Sequence, residues 1–139
     1  MAIICCPVYK LHTVLQGNSM DVKHMCLVKE PSGALLTASR EKTGKMWYEN
    51  NDLNSIIVST HNVRYMLEDN SYIMKNTYKG HTKYVSCVAY QDPSEEFPTG
   101  LVFTGCEDGK VRAFLPDKED PLFLLEGHGE KITSLFVGR

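Results

Sequence analysis

Apolar residues along the chain come in short bursts, rich in β-branched and aromatic side chains and bounded by Gly, Pro, Asp and Asn. Such bursts predict short strands separated by tight turns. Three of them stand in register. Gly17, Gly80 and Gly127 each follow an apolar-rich segment: Leu11 to Leu15, Tyr72 to Met74, and Leu122 to Leu125. Five residues beyond each glycine stand Val22, Val85 and Ile132; eight beyond come Met25, Val88 and Leu135; ten beyond come Leu27, Tyr90 and Val137. The register continues, for Leu35 to Trp47 overlays Val102 to Phe114 without a gap. In the second copy Glu107-Asp108-Gly109 is a hairpin signal, because glycine tolerates the positive φ such turns demand.

Each repeat therefore predicts four short strands, termed d, a, b and c in chain order. A sheet of that size cannot bury both faces alone and must stack on its neighbours around an axis. The expected division is an N-terminal tail over 1–8, strand d and a first blade over 9–52, an insertion over 53–70, a second blade over 71–115, and the start of a third over 116–139. Ile132 to Val137 is expected to be the first strand of that third blade.

Gly80-His81, Thr104-Gly105-Cys106-Glu107-Asp108-Gly109 and the aromatic Phe114 resemble the WD40 repeat. The resemblance implies an all-β propeller fragment whose parent has seven blades. It also implies a hydrogen-bonded brace of His, Ser or Thr, Asp and Trp in each blade. The second blade supplies His81, Thr104 and Asp108, with Phe114 in place of Trp. The first supplies Thr37 and Trp47, with Asn18 in place of His and Glu41 in place of Asp. Both braces are incomplete, so each is expected to be less rigid than the family pattern. His81, Thr104 and Asp108 also mimic a hydrolase triad, but a triad needs an activated nucleophile in a pocket. His24 and Cys26, two potential ligands on one strand, fall short of a tetrahedral metal set.

Composition narrows the function classes. The 139 residues are 42% hydrophobic and 23% charged with net charge −2, a balance unlike the basic field that nucleic-acid binding requires. No apolar run approaches the roughly 20 residues of a membrane span, and the first residues lack the basic region of a secretory signal. Five cysteines without CxxC spacing point to a reducing compartment, cytosol or nucleus. The adjacent Cys5-Cys6 read as part of an ordinary tail. No cofactor is expected, since GxGxxG, P-loop and HExxH motifs are all missing.

A narrower resemblance lies in Thr37 to Thr43, His81 to Val88 and the a–b loop Pro93 to Leu101. These stretches are similar to the ubiquitin-binding cofactor family of the valosin-containing unfoldase. That resemblance implies a non-catalytic interaction scaffold binding ubiquitin on the face of the d–a and b–c loops, in ubiquitin-dependent degradation and sorting. The family's helical-repeat domain that docks on the unfoldase has no counterpart in these residues, so unfoldase binding is not carried over. Candidate contacts are Ser19, Met20, Asp21, Arg40 and Lys42 on the first blade, and Lys83, Tyr84, Glu107 and Lys110 on the second. Arg40 and Tyr84 lead, because Arg and aromatic side chains dominate hot spots. A generic WD40 assembly scaffold and a fragment without activity of its own are the other readings.

The blades are unequally spaced: 33 positions separate Trp47 from Gly80, against 13 between Phe114 and Gly127. The surplus reads as a lineage-specific loop with a short strand, as translated non-coding sequence or as a gene-model error. Two blades leave strand edges open, so the chain alone is expected to be unstable or to associate with itself or another propeller fragment.

Overall fold

The computed structural model describes residues 15–29, 34–49 and 72–138. The tail with Cys5-Cys6, residues 11–14 of the first apolar segment and the 53–70 insertion lie outside them. The described residues form two four-stranded antiparallel sheets and no helix. The first sheet contains β1 (Val22–Val28), β2 (Ala34–Ser39), β3 (Gly44–Glu49) and β4 (Tyr72–Tyr78); the second contains β5 (Val85–Gln91), β6 (Leu101–Cys106), β7 (Val111–Phe114) and β8 (Phe123–Leu125). Strand order follows chain order in both. The protein is an all-β propeller fragment. β4, which opens the second sequence repeat, closes the first sheet by pairing Tyr78 with Gly44 and Met74 with Trp47. Each repeat is thus shared between two sheets, and the covalent chain itself staples them together.

Alternation in the strands decides which side chains meet, because successive residues point to opposite faces. Leu36, Ala38 and Met46 turn one face of the first sheet toward Val85, Val88, Val102 and Phe114 of the second, with Val28 and Tyr78 completing the cluster. Leu36, Tyr78, Val102 and Phe114 are fully enclosed, and burying each such side chain contributes about 1.5–3 kcal/mol. Gly44 belongs to this face: a Cβ there would come 3.3 Å from Thr104 Cγ2, a tight contact that asks the threonine methyl to give by a few tenths of an ångström. Phe114 packs its ring 5.1 Å from Tyr78 and 5.8 Å from His81, centroid to centroid.

The far face of the second sheet carries a smaller cluster of Cys87, Val111 and Ile132, with Phe103 and Leu135 against it. Here one expectation is corrected. Ile132 to Val137 forms no strand, although the Ile132 amide donates to Cys106 O at 3.0 Å and Ser86 Oγ donates to Ile132 O. Among the described residues no neighbour pairs with the rest of the segment. It is held by buried side chains at one end rather than by a hydrogen-bond ladder.

His24 and Cys26 do not gather a metal set: His24 Nδ1 accepts from the Val88 amide at 3.2 Å, and Cys26 packs against the inter-sheet core. β1 turns Met25 and Leu27 outward, 64% and 72% exposed. Leu36→Ala should cost about 2–5 kcal/mol, as a cavity between the sheets. Leu27→Ala should cost under about 0.5 kcal/mol, as an ordinary surface change. Urea titration of both variants checks this, and equal costs would show that the Leu27 face is covered in solution.

Candidate protein-interaction face

At the loop end of each sheet a tight b–c turn is closed in the same way. In the first, Ser39 N donates to Thr43 O and Lys42 N to Ser39 O; in the second, Cys106 N donates to Lys110 O and Gly109 N to Cys106 O. Lys42 and Gly109 occupy equivalent places with φ of 69° and 81°, a region that costs a residue with a Cβ about 1–2 kcal/mol.

Beneath each turn sits a carboxylate with four donors. Asp108 accepts from Arg112 Nη1 and Nη2 at 3.3 and 2.8 Å, from Thr82 Oγ1 at 2.8 Å and from the Lys110 amide at 3.0 Å. Glu41 accepts from the Ser19 amide and hydroxyl at 2.9 and 2.6 Å, from Thr43 Oγ1 at 2.9 Å and from Lys45 Nζ. Lys45 and Arg112 are buried and their partners Glu41 and Asp108 partly so, with side-chain exposures of 8% and 12% for Lys45 and Glu41 and 6% and 8% for Arg112 and Asp108. Lys45 and Arg112 stand directly opposite Thr37 and Thr104 in the strand register. Ser19 and Thr82 lie in the d–a loops, so each carboxylate ties its hairpin turn to the loop ahead of the sheet. Burial pushes the Glu41 carboxyl up, but these donors outweigh it and hold it down at about 2. Asp108 is held below the usual carboxylate range by the same balance, Arg112 being its strongest donor.

The expected brace is accordingly rearranged. His81 Nε2 meets Thr104 Oγ1 at 2.7 Å, but Nδ1 faces Lys42 O of the first blade's turn at 3.0 Å rather than Asp108. Arg112, which is not among the brace residues, holds the Asp108 carboxylate instead. Two donors in a planar fork hold a carboxylate better than one ring nitrogen. In the first blade Trp47 Nε1 donates to Thr37 Oγ1 at 3.0 Å, while Asn18, at the histidine position, leaves its Oδ1 buried without a partner among the described residues. Thr104 is fully buried and its partners are spoken for, so the triad-like set is a fastening between strands and blades.

The candidate contact residues fall on this end, and some are brought together. Arg40 stacks over the Tyr84 ring with its guanidinium carbon 5.0 Å from the centroid, bridging the two blades. Asp21 lies 3.6 Å from Arg40 and 3.7 Å from Lys23. Backbone bonds from Arg40 N to Asp21 O and from Glu107 N to Tyr84 O hold both d–a loops against the turns. Met20, Lys42 and Lys83 are exposed. Ser19 is absorbed into the Glu41 brace, and Lys110 is paired with Glu126 at 2.9 Å. Lys45, Arg112 and Thr82 were not expected. For Lys45 and Arg112 the signal was a cation at the same offset in both copies; Thr82 carried none.

Residues 73–114 match the family model described as WD domain, G-beta repeat. The chain carries a WD40 repeat. It is similar to phospholipase A-2-activating protein of Xenopus laevis, 27% identical over 132 residues, which cover 94% of this chain and 14% of that protein. The chain thus spans about a seventh of the relative's length. Two computationally designed proteins share its fold: Ika4, at TM-score 0.62 and 17% identity over 95% of this chain and 64% of that one, and Ika8, at 0.61 and 18% over 92% and 31%. The WD40 repeat and the likeness to phospholipase A-2-activating protein support a protein-interaction scaffold.

Burial, and then the nearby Arg112 charge, lower the His81 pKa from 6.5 to about 4. A histidine held neutral by folding contributes stability that is whole above about pH 6.5 and is lost as pH falls through 4. The Glu41 contribution is present above 4.5 and lost as pH falls through about 2. Urea midpoints should therefore be flat from pH 6.5 to about 9, where ionisation of the buried Cys87 and Tyr78 groups begins to count against the fold, and fall in two stages below 6.5. His81→Gln should remove the upper stage and keep the lower, whereas an unchanged profile would remove His81 from the account.

Proposed function

We propose that this chain is a non-catalytic WD40 scaffold that binds ubiquitin through its d–a and b–c loops, serving ubiquitin-dependent degradation and sorting in the cytosol or nucleus. The observation that carries the reading is the Arg40–Tyr84 stack. It joins the two blades at the loop end, and Arg40 Nε is buried without a hydrogen-bond partner among the described residues. That nitrogen is closed to solvent, but the Arg40 side chain as a whole is 43% exposed, so its outer guanidinium nitrogens would donate to a partner's carbonyl or carboxylate. Exposed Met20 beside it adds an apolar contact. The resemblance of Thr37 to Thr43, His81 to Val88 and Pro93 to Leu101 to the ubiquitin-binding cofactor family supports the choice of ubiquitin, and the pinned d–a loops supply a preorganised surface.

Calorimetric titration of ubiquitin tests the assignment. Arg40→Ala and Tyr84→Ala should each weaken binding by about tenfold or more, the size expected of a hot-spot truncation. Equal binding by both variants removes these two residues from the site. No heat of binding with the unaltered chain removes ubiquitin and leaves a scaffold for another protein, which pull-down with and without competing ubiquitin would separate.

A further inference from the structure

At the end of the blades opposite the turns, a cleft of about 620 Å³ opens between the two sheets. Its size lies in the range of ligand pockets, roughly 300–1,000 Å³. Tyr48 of β3 and Tyr90 of β5 stand on its two sides, and Pro93, Pro98 and Pro116 line the rest. Both tyrosines pack against the inter-sheet core, so their rings are anchored at the base.

The walls are built rather than loose. Asn76 donates from one amide nitrogen to both Pro116 O and Lys118 O, at 3.0 and 2.8 Å, and the Tyr78 hydroxyl donates to Pro116 O at 2.8 Å. The Tyr90 hydroxyl donates to Thr99 O at 2.9 Å. The β5–β6 loop closes on itself through Ser94 N to Phe97 O and Gly100 N to Phe97 O. Gly100 turns at φ +80°, where a Cβ would come 2.5 Å from Gln91 O. A rigid cleft of tyrosine and proline rings is the surface on which polyproline-type segments dock, because such segments arrive extended and lose little entropy.

Charge narrows the occupant further. Lys75 and Asp117 line the cleft, but the proline-bearing loop adjoining it also carries Asp92, Glu95 and Glu96. Neither Lys75 nor Asp117 forms a salt bridge with another described residue, and Glu95 and Glu96 are exposed. The acidic surplus favours a cationic flank. We infer that this cleft binds an extended, proline-containing segment of a partner protein carrying a basic residue beside its prolines. The site is separate from the loop-end face and independent of the ubiquitin assignment.

Fluorescence polarisation tests it with a labelled decapeptide of alternating prolines and leucines flanked by arginines, titrated with the 139-residue chain. Saturable binding is expected, weakened about tenfold by Tyr48→Ala and several-fold by Asp117→Lys. Arg40→Ala and Tyr84→Ala should leave it unchanged. Should Tyr48→Ala lose the fold, Asp117→Lys and Glu95→Lys at exposed positions carry the test. Absence of saturation up to about 1 mM overturns the proposal, as does equal binding of a peptide with every proline replaced by glycine. So does unaltered affinity in the charge-reversed variants.

Discussion

The buried carboxylate beneath each b–c turn is the contact on which the loop end of both sheets depends. Taking a charge out of water is costly, and a buried pair holds only when its remaining lone pairs are satisfied. Glu41 and Asp108 meet that condition with four donors each, drawn from the turn, from strand c and from the d–a loop. The d–a loop, the turn and strand c are thereby joined at one point. The placement of Arg40 and Tyr84 follows, since their backbones are pinned between the same turns and loops.

A second constraint acts between blades. The covered face of the second sheet presents Thr104, Arg112 and Phe114 toward the first, and His81 reaches across it to the Lys42 carbonyl. That contact satisfies a turn carbonyl that the hairpin leaves free, and it fixes the spacing of the loop end. At the opposite end a cleft opens between Tyr48 and Tyr90. Tight fastening at one end and an open cleft at the other give the fragment two chemically different surfaces.

Much of this was legible in the chain. The repeated offsets from Gly17, Gly80 and Gly127 and the ungapped overlay of Leu35–Trp47 on Val102–Phe114 foretold the strands, and the WD40 resemblance foretold the bond from Trp47 to Thr37. The brace chemistry was less legible. The expected brace does not include Lys45 and Arg112, which hold the turn carboxylates in the fold and which a strand pattern reads as solvated cations. Only their position opposite buried threonines discloses that they are inside. Ile132 to Val137 shows a different limit: strand composition makes a strand only where a neighbour completes the ladder. The cleft was not legible at all, because its walls come from five separate stretches of chain.

A double-mutant cycle on Asp108→Asn and Arg112→Met, followed by urea denaturation, tests the central role of the buried pair. Removing Arg112 alone strands a buried carboxylate and should cost about 3–5 kcal/mol. The double variant should cost about 2 kcal/mol less than the sum of the single changes, as residues that act as one unit do. Additivity within about 0.5 kcal/mol, with small costs for each single change, would contradict the account.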